Sequence, residues 1–287
     1  MTALGRTWWG GGVAAVAALL LFFWSRPYWF PARAWKSPAA ENVSDRDRRI
    51  LWVHYHERPP YYMTRDSDVT GVCVEPVKRA LEAAGLPHQW ILTPPLRQLR
   101  CLQLREEEAH AGVGWFRTPE RERWARFSKP IYQDGPWVAV MRRSEGTRFN
   151  VVAASELLRI PGLRVLVKGG YRYGAWLEGL WQRYQVRRDV SPTDMLRLLE
   201  CVAAGRADCV FLAREEAEVL LNLSAHLRDA LQMIALTDSP AGPTRHVMFG
   251  VGVPVDWVER FDRALGRLER GAGDEAPVAL SRGNIRR

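Results

Sequence analysis

Apolar and polar positions follow two alternating periods along most of the chain. Ile50 to Tyr55 reads as a buried strand, after which Val74, Val77, Ala80, Leu81 and Ala84 share a helical face that stops at Gly85 and Pro87. Gln89 to Leu92 reads as a second strand, Leu96 to Glu108 as a helix with Leu96, Leu99, Leu102 and Leu104 mostly inward, and Ala111 to Phe116 as a third strand. That order predicts a parallel sheet with helices on its faces, in which ligands sit at the carboxyl ends of the strands. The alternation resumes with strands at Trp137 to Met141, Leu163 to Lys168, Val186 to Val190 and Ala207 to Leu212, and helices near Ala175 to Tyr184 and Pro192 to Ala204. The second of these helices has the start signal Ser191-Pro192-Thr193-Asp194. Strands near Met233 to Leu236 and Val247 to Val251 precede an amphipathic helix, Trp257 to Arg270. Two α/β lobes account for the pattern.

The stretch before residue 48 reads differently. Trp8 to Trp24 is uncharged and as a helix spans roughly 25 Å, so residues 1–25 form either a membrane anchor or an export signal. An A-x-A site at Ala32-Arg33-Ala34 lies well past the apolar run and behind Tyr28, Trp29 and Phe30, which favours the uncleaved anchor. Residues 26–47, with Pro27, Pro31 and Pro38, read as a linker. Arg26, Arg33 and Lys36 after the segment mildly oppose export under the positive-inside rule.

Composition narrows the class. With 287 residues, 47% hydrophobic and 25% charged, the chain is not disordered. Its net charge is +9, but only four of the 41 basic residues are Lys and the arginines are dispersed, which argues against nucleic acid. Cys73, Cys101, Cys201 and Cys209 make no C-x-x-C pair; they allow up to two disulfides on export, or four buried thiols in a reducing compartment. His54 and His56, near Glu57, read as structural histidines rather than metal ligands. No nucleophile elbow, H-E-x-x-H or phosphate loop occurs, and no cofactor or metal is expected.

Residues 112–132, reading GVGWFRTPERERWARFSKPIY, resemble the signature of the bacterial solute-binding proteins of the amino-acid type, family 3. Four further pieces follow in that family's order: Arg58 to Tyr62, residues 165–174 (VLVKGGYRYG), residues 205–208 (GRAD), and the terminal helix. The resemblance implies a periplasmic-binding-protein type II fold, two Rossmann-like lobes joined by two crossover strands near residues 137–142 and 243–247. Lobe 1 is then 48–138 plus 246–287, and lobe 2 is 139–245.

It also implies a site. Arg121, at the helix start Thr118-Pro119-Glu120, matches the arginine that holds a ligand carboxylate, and Gly114 matches a place of close backbone approach. Phe116 stands where amino-acid binders usually carry a small hydroxyl residue. Ala213 stands where they carry an acid for the ammonium group, which weakens the amino-acid reading, although Glu215 and Glu216 lie close by. Tyr55, Tyr61, Tyr62, Trp115, Phe116, Tyr171 and Tyr173 could enclose a ligand body, with Arg58, Lys168 and Arg172 beside Arg121 to read an anionic end.

By resemblance the chain is a monomeric periplasmic binder, not an enzyme, that closes on a small anionic or amino-acid-like ligand for an ABC permease. The alternative is a membrane-tethered sensory module, and less strongly a dehydratase-like enzyme.

Overall fold

The computed structural model describes residues 49–105, 107–146 and 151–273. The anchor and linker reading of residues 1–47 lies outside them; among the described residues no helix is long and apolar enough to cross a membrane.

The strands are, in chain order, β1 (Leu51–Tyr55), β2 (Met63–Arg65), β3 (Asp68–Thr70), β4 (His88–Leu92), β5 (His110–Phe116), β6 (Arg126–Phe127) and β7 (Tyr132–Gln133). They continue with β8 (Trp137–Arg142), β9 (Val151–Val152), β10 (Val165–Lys168), β11 (Arg188–Ser191), β12 (Cys209–Ala213), β13 (Leu231–Leu236) and β14 (Thr244–Phe249). One sheet has the order β4-β1-β5-β14-β6 with β7 also on β14, and the other β11-β10-β12-β8-β13-β9. β1 runs parallel to β4 and β5, and β10 parallel to β11 and β12, as the strand–helix alternation predicts. Antiparallel β14 inserts beside β5, and antiparallel β8 beside β12.

Both sheets are covered on both faces, so their central strands are buried along their whole length: every residue of β5 and of β12 is buried. In the first lobe, helices Val74–Ala83 and Val255–Gly273 cover one face through Val77, Leu81, Phe261 and Leu265, and Leu102 packs with Trp115 and Met248 on the other. In the second, helix Gly174–Arg183 packs Leu177 and Trp181 against Phe211, while helices Met195–Ala203 and Arg214–Leu223 pack Leu198, Val202 and Leu220 against Val210 and Leu212.

β8 pairs with both β12 and β13, and β14 with β5, so the chain crosses between lobes in segments 134–136 and 237–243 rather than within strands. The two crossings touch. Gly242 N–H donates to the Asp134 carbonyl (3.1 Å), and a Cβ on Gly242 would lie 2.3 Å from the Gly135 oxygen.

Two local expectations change, and of the two alternatives left for the cysteines one is observed. The helix expected from Pro192 starts at Met195, with the Asp194 carboxylate capping Arg197 N–H (2.9 Å), because Ser191 remains in β11. The helix expected to run to Glu108 ends at Leu104, and it buries Gln98 and Leu102 while Leu96 and Leu104 stay exposed. The four cysteines are free thiols, with Cys73 and Cys209 buried; burial pushes the Cys73 thiol up to about 12.

Candidate ligand-binding cleft

The carboxyl ends of β1, β5 and β10 converge on one cavity. β1 leads into His56 and Arg58; β5 ends in Gly114, Trp115 and Phe116; β10 is followed by Gly170, Tyr171 and Arg172. These residues enclose the cavity together with Tyr62, Arg121 and Arg245. Its volume is about 30 Å³, room for one or two water molecules.

Gly114 has a left-handed backbone (φ +79°), and a Cβ there would meet Tyr62 Cε1 at 2.5 Å. Its close approach is therefore to a buried tyrosine as well as to the cavity. Beyond β5, the Thr118 hydroxyl accepts from Arg121 N–H (3.3 Å) and starts a helix of only four residues, Pro119–Glu122. So short a helix has little dipole. The Arg121 guanidinium instead turns back, donating to the Phe116 carbonyl (2.9 Å) and lying over the Trp115 ring at 4.6 Å.

Arg121 is only 6% exposed, and no carboxylate lies within ion-pair distance of it among the described residues. Burial first, then the neighbouring Arg172 charge, lowers its pKa to about 10, so it stays cationic at neutral pH.

The other three guanidiniums on the cavity wall have acids behind them. Arg245 holds Asp134 through two nitrogens (2.6 and 2.8 Å), lies 3.6 Å over the Tyr61 ring and donates to the Gly114 carbonyl (3.2 Å). Arg58 grips Glu216 of the second lobe through two 2.7 Å bonds and lies 4.4 Å over the Tyr171 ring. Arg172 pairs with Glu120 across the lobes.

Gln98 ties two aromatic walls together. Its amide donates to the Thr93 carbonyl (2.8 Å) and His56 Nδ1 (3.3 Å), and its oxygen accepts from Trp115 Nε1 (3.2 Å). His56 Nε2 is then left to donate to the Tyr171 hydroxyl (2.5 Å). Burial, and then the charge of Arg58, hold the His56 pKa well below its ordinary value, so the ring is neutral.

Of the thirteen residues expected at the site, Arg121, Gly114, Phe116, Arg58, Tyr62, Trp115, Tyr171 and Arg172 line the cavity. Five do not. Tyr173 is buried in the core of the second lobe. The Tyr55 hydroxyl bonds Thr64 Oγ1 (3.0 Å) instead. Tyr61 is buried beneath Arg245 and donates to Glu215 (3.0 Å). Ala213 is buried at the end of β12, paired with Trp137. Lys168 donates to the Thr193 carbonyl (2.8 Å) and lines a neighbouring cavity of about 230 Å³, walled by Met195, Leu196 and Leu220. The sequence reading missed Arg245 altogether, although an arginine opening the buried run of β14 is itself a signal of a paired charge. It also treated His56 as purely structural.

No protein-family model matches the sequence, and no curated protein matches it. Solved structures do. An ancestral arginine-binding protein bound to arginine superposes with a TM-score of 0.62 at 14% identity, over 78% of this chain and 93% of that one. The chain has the type II periplasmic-binding-protein fold. This fold is shared with the amino acid ABC transporter substrate-binding protein AbpA of Streptococcus pneumoniae bound to L-arginine (TM-score 0.61, 15% identity, 79% of this chain and 91% of that one). A histidine kinase sensor domain with similarity to periplasmic binding proteins has it too (TM-score 0.62, 22% identity, 80% and 93%).

Proposed function

We propose that this chain is a periplasmic solute-binding protein, held at the membrane by its first residues, that closes two lobes on a small carboxylate and delivers it as a monomer to an ABC-type importer. The observation that carries the reading is Arg121: a buried guanidinium without an acid among the described residues, beside three guanidiniums that each have one, at the strand ends between two lobes. Such a group is a ready partner for a carboxylate. The amino-acid substrate-binding proteins that share the fold support the binding role over catalysis.

Isothermal titration of small carboxylates against wild type and Arg121→Ala tests it. Loss of a charge-assisted contact should weaken binding by about 1.5 to 3 kcal/mol, with the circular-dichroism spectrum unchanged. Equal affinity in both proteins would remove Arg121 from the site.

A second reading, a membrane-tethered sensory module, draws support from the kinase sensor domain of the same fold. Co-purification of the tethered chain with a membrane kinase rather than a permease would favour it.

A further inference from the structure

The cleft contains an acid, but a side chain of the protein already neutralises it. Glu216, in the first turn of helix Arg214–Leu223, is completely buried, and Arg58 from the opposite lobe grips both of its oxygens while remaining only 10% exposed. Arg58 is itself held in place by the Tyr171 ring at 4.4 Å and the Tyr61 ring at 5.2 Å. Glu215, next in the chain, accepts from the Tyr61 hydroxyl and from Gly135 N–H (3.1 Å).

Among the described residues the wall of the small cavity beside Arg121 offers a ligand cation no carboxylate, whereas the adjoining cavity, which shares Arg58 and Tyr171 with it, has Glu57, Asp194 and Glu216 on its wall. In the small cavity the carbonyls at Gly114 and Phe116 already accept from Arg245 and Arg121, and His56 Nδ1 accepts from Gln98. Four guanidiniums line that cavity and no acid does.

We propose that Arg58 is a built-in occupant of the cation seat at Glu216, so that the cleft selects small carboxylates that lack an ammonium group. This rests on the solute-binding reading and adds the ligand class and the residue that sets it. A ligand ammonium would have to displace a tethered, bidentate, ring-stacked guanidinium, which has the advantage of intramolecular concentration. A bare carboxylate calls on Arg121 and does not compete with Arg58 for Glu216.

Matched probes that differ by one ammonium group test this on the full chain: propanoate against alanine, and 3-phenylpropanoate against phenylalanine. Wild type should bind each carboxylate at least about tenfold tighter than its amino acid, the worth of about one charged contact. Arg58→Ala should gain roughly 10- to 100-fold for the amino acids, and Arg58→Ala with Glu216→Gln should lose that gain. Methylguanidinium should raise the melting temperature of Arg58→Ala and not that of wild type.

Should Arg58→Ala not fold, Glu216→Gln gives an independent reading. It frees a second guanidinium and should tighten propanoate binding about tenfold; unchanged affinity there would overturn the proposal. Tighter amino-acid binding by wild type would also overturn it, as would a folded Arg58→Ala indifferent to methylguanidinium. Failure of wild type to bind either pair, with methylguanidinium still stabilising Arg58→Ala, would count against the solute-binding reading and support the seat.

Discussion

At the scale of single residues, two positions carry most of the constraint. Gly114 combines a left-handed backbone with a contact that leaves no room for a Cβ, and its obstacle, Tyr62, is fully enclosed in the core. Gly114→Ala should therefore destabilise by about 2 kcal/mol or more, since backbone strain and a forced core shift act together; a denaturant midpoint equal to wild type would contradict this. The second position is His54. Its ring bonds Thr93 Oγ1 (2.9 Å) and His110 Nδ1 (2.8 Å), and His110 Nε2 meets the Glu108 carboxylate (2.7 Å). Burial first, then the His110 ring, lowers the His54 pKa from 6.5 to about 4. A histidine with a depressed folded pKa contributes stability that is complete above 6.5 and lost as pH falls towards 4, because the unfolded chain takes up the proton first. That loss is at most about 3 kcal/mol. Melting temperatures measured from pH 7 to pH 4 should fall less for His54→Asn than for wild type, and parallel curves would rule out this origin.

At the scale of elements, the charged pairs differ in worth according to burial. Arg245, at the start of β14, and Asp134, in the first crossing segment, have side chains each 1% exposed and tie that crossing to β14. Asp134→Ala leaves a buried guanidinium without its acid and should cost about 3 to 5 kcal/mol, roughly 10 °C or more in melting temperature. Arg172 and Glu120 pair at half-exposed positions, so Arg172→Ala should cost less than about 1 kcal/mol. Calorimetry on both variants distinguishes these outcomes, and a cheap Asp134→Ala would mean that the crossing is fastened in another way. The helix boundaries illustrate the same competition between local and tertiary forces. A serine and a proline followed two positions on by an acid make residue 192 a good helix start, but the pairing of β11 with β10 keeps Ser191 extended and passes the capping role to Asp194.

At the scale of the molecule, the lobes meet through Arg58–Glu216, His56–Tyr171, Tyr61–Glu215 and Arg172–Glu120. Together these contacts fasten one lobe to the other across the cleft. Tyr171→Ala removes both the His56 partner and the ring beneath Arg58. Its radius of gyration in ligand-free solution scattering should exceed that of wild type, and an identical curve would show that the remaining contacts suffice.

The two α/β lobes are legible in the sequence, because strand and helix periods are local properties of the chain and buried parallel strands leave unmistakable apolar runs such as β5 and β12. Arg121 is legible there too, through a motif of neighbouring residues. The tertiary structure alone decided which guanidiniums have acids. Arg58 and Glu216 lie 158 positions apart and Arg245 and Asp134 lie 111 apart, and no periodicity reports a pairing between separate elements. The same holds for Tyr55, Tyr61, Lys168 and Ala213, which the chain order brought near the cleft but which the packing of β1, β12 and the crossings turned to other partners. Local pattern fixes which elements form, whereas the pairing of charges across the cleft follows from how those elements pack.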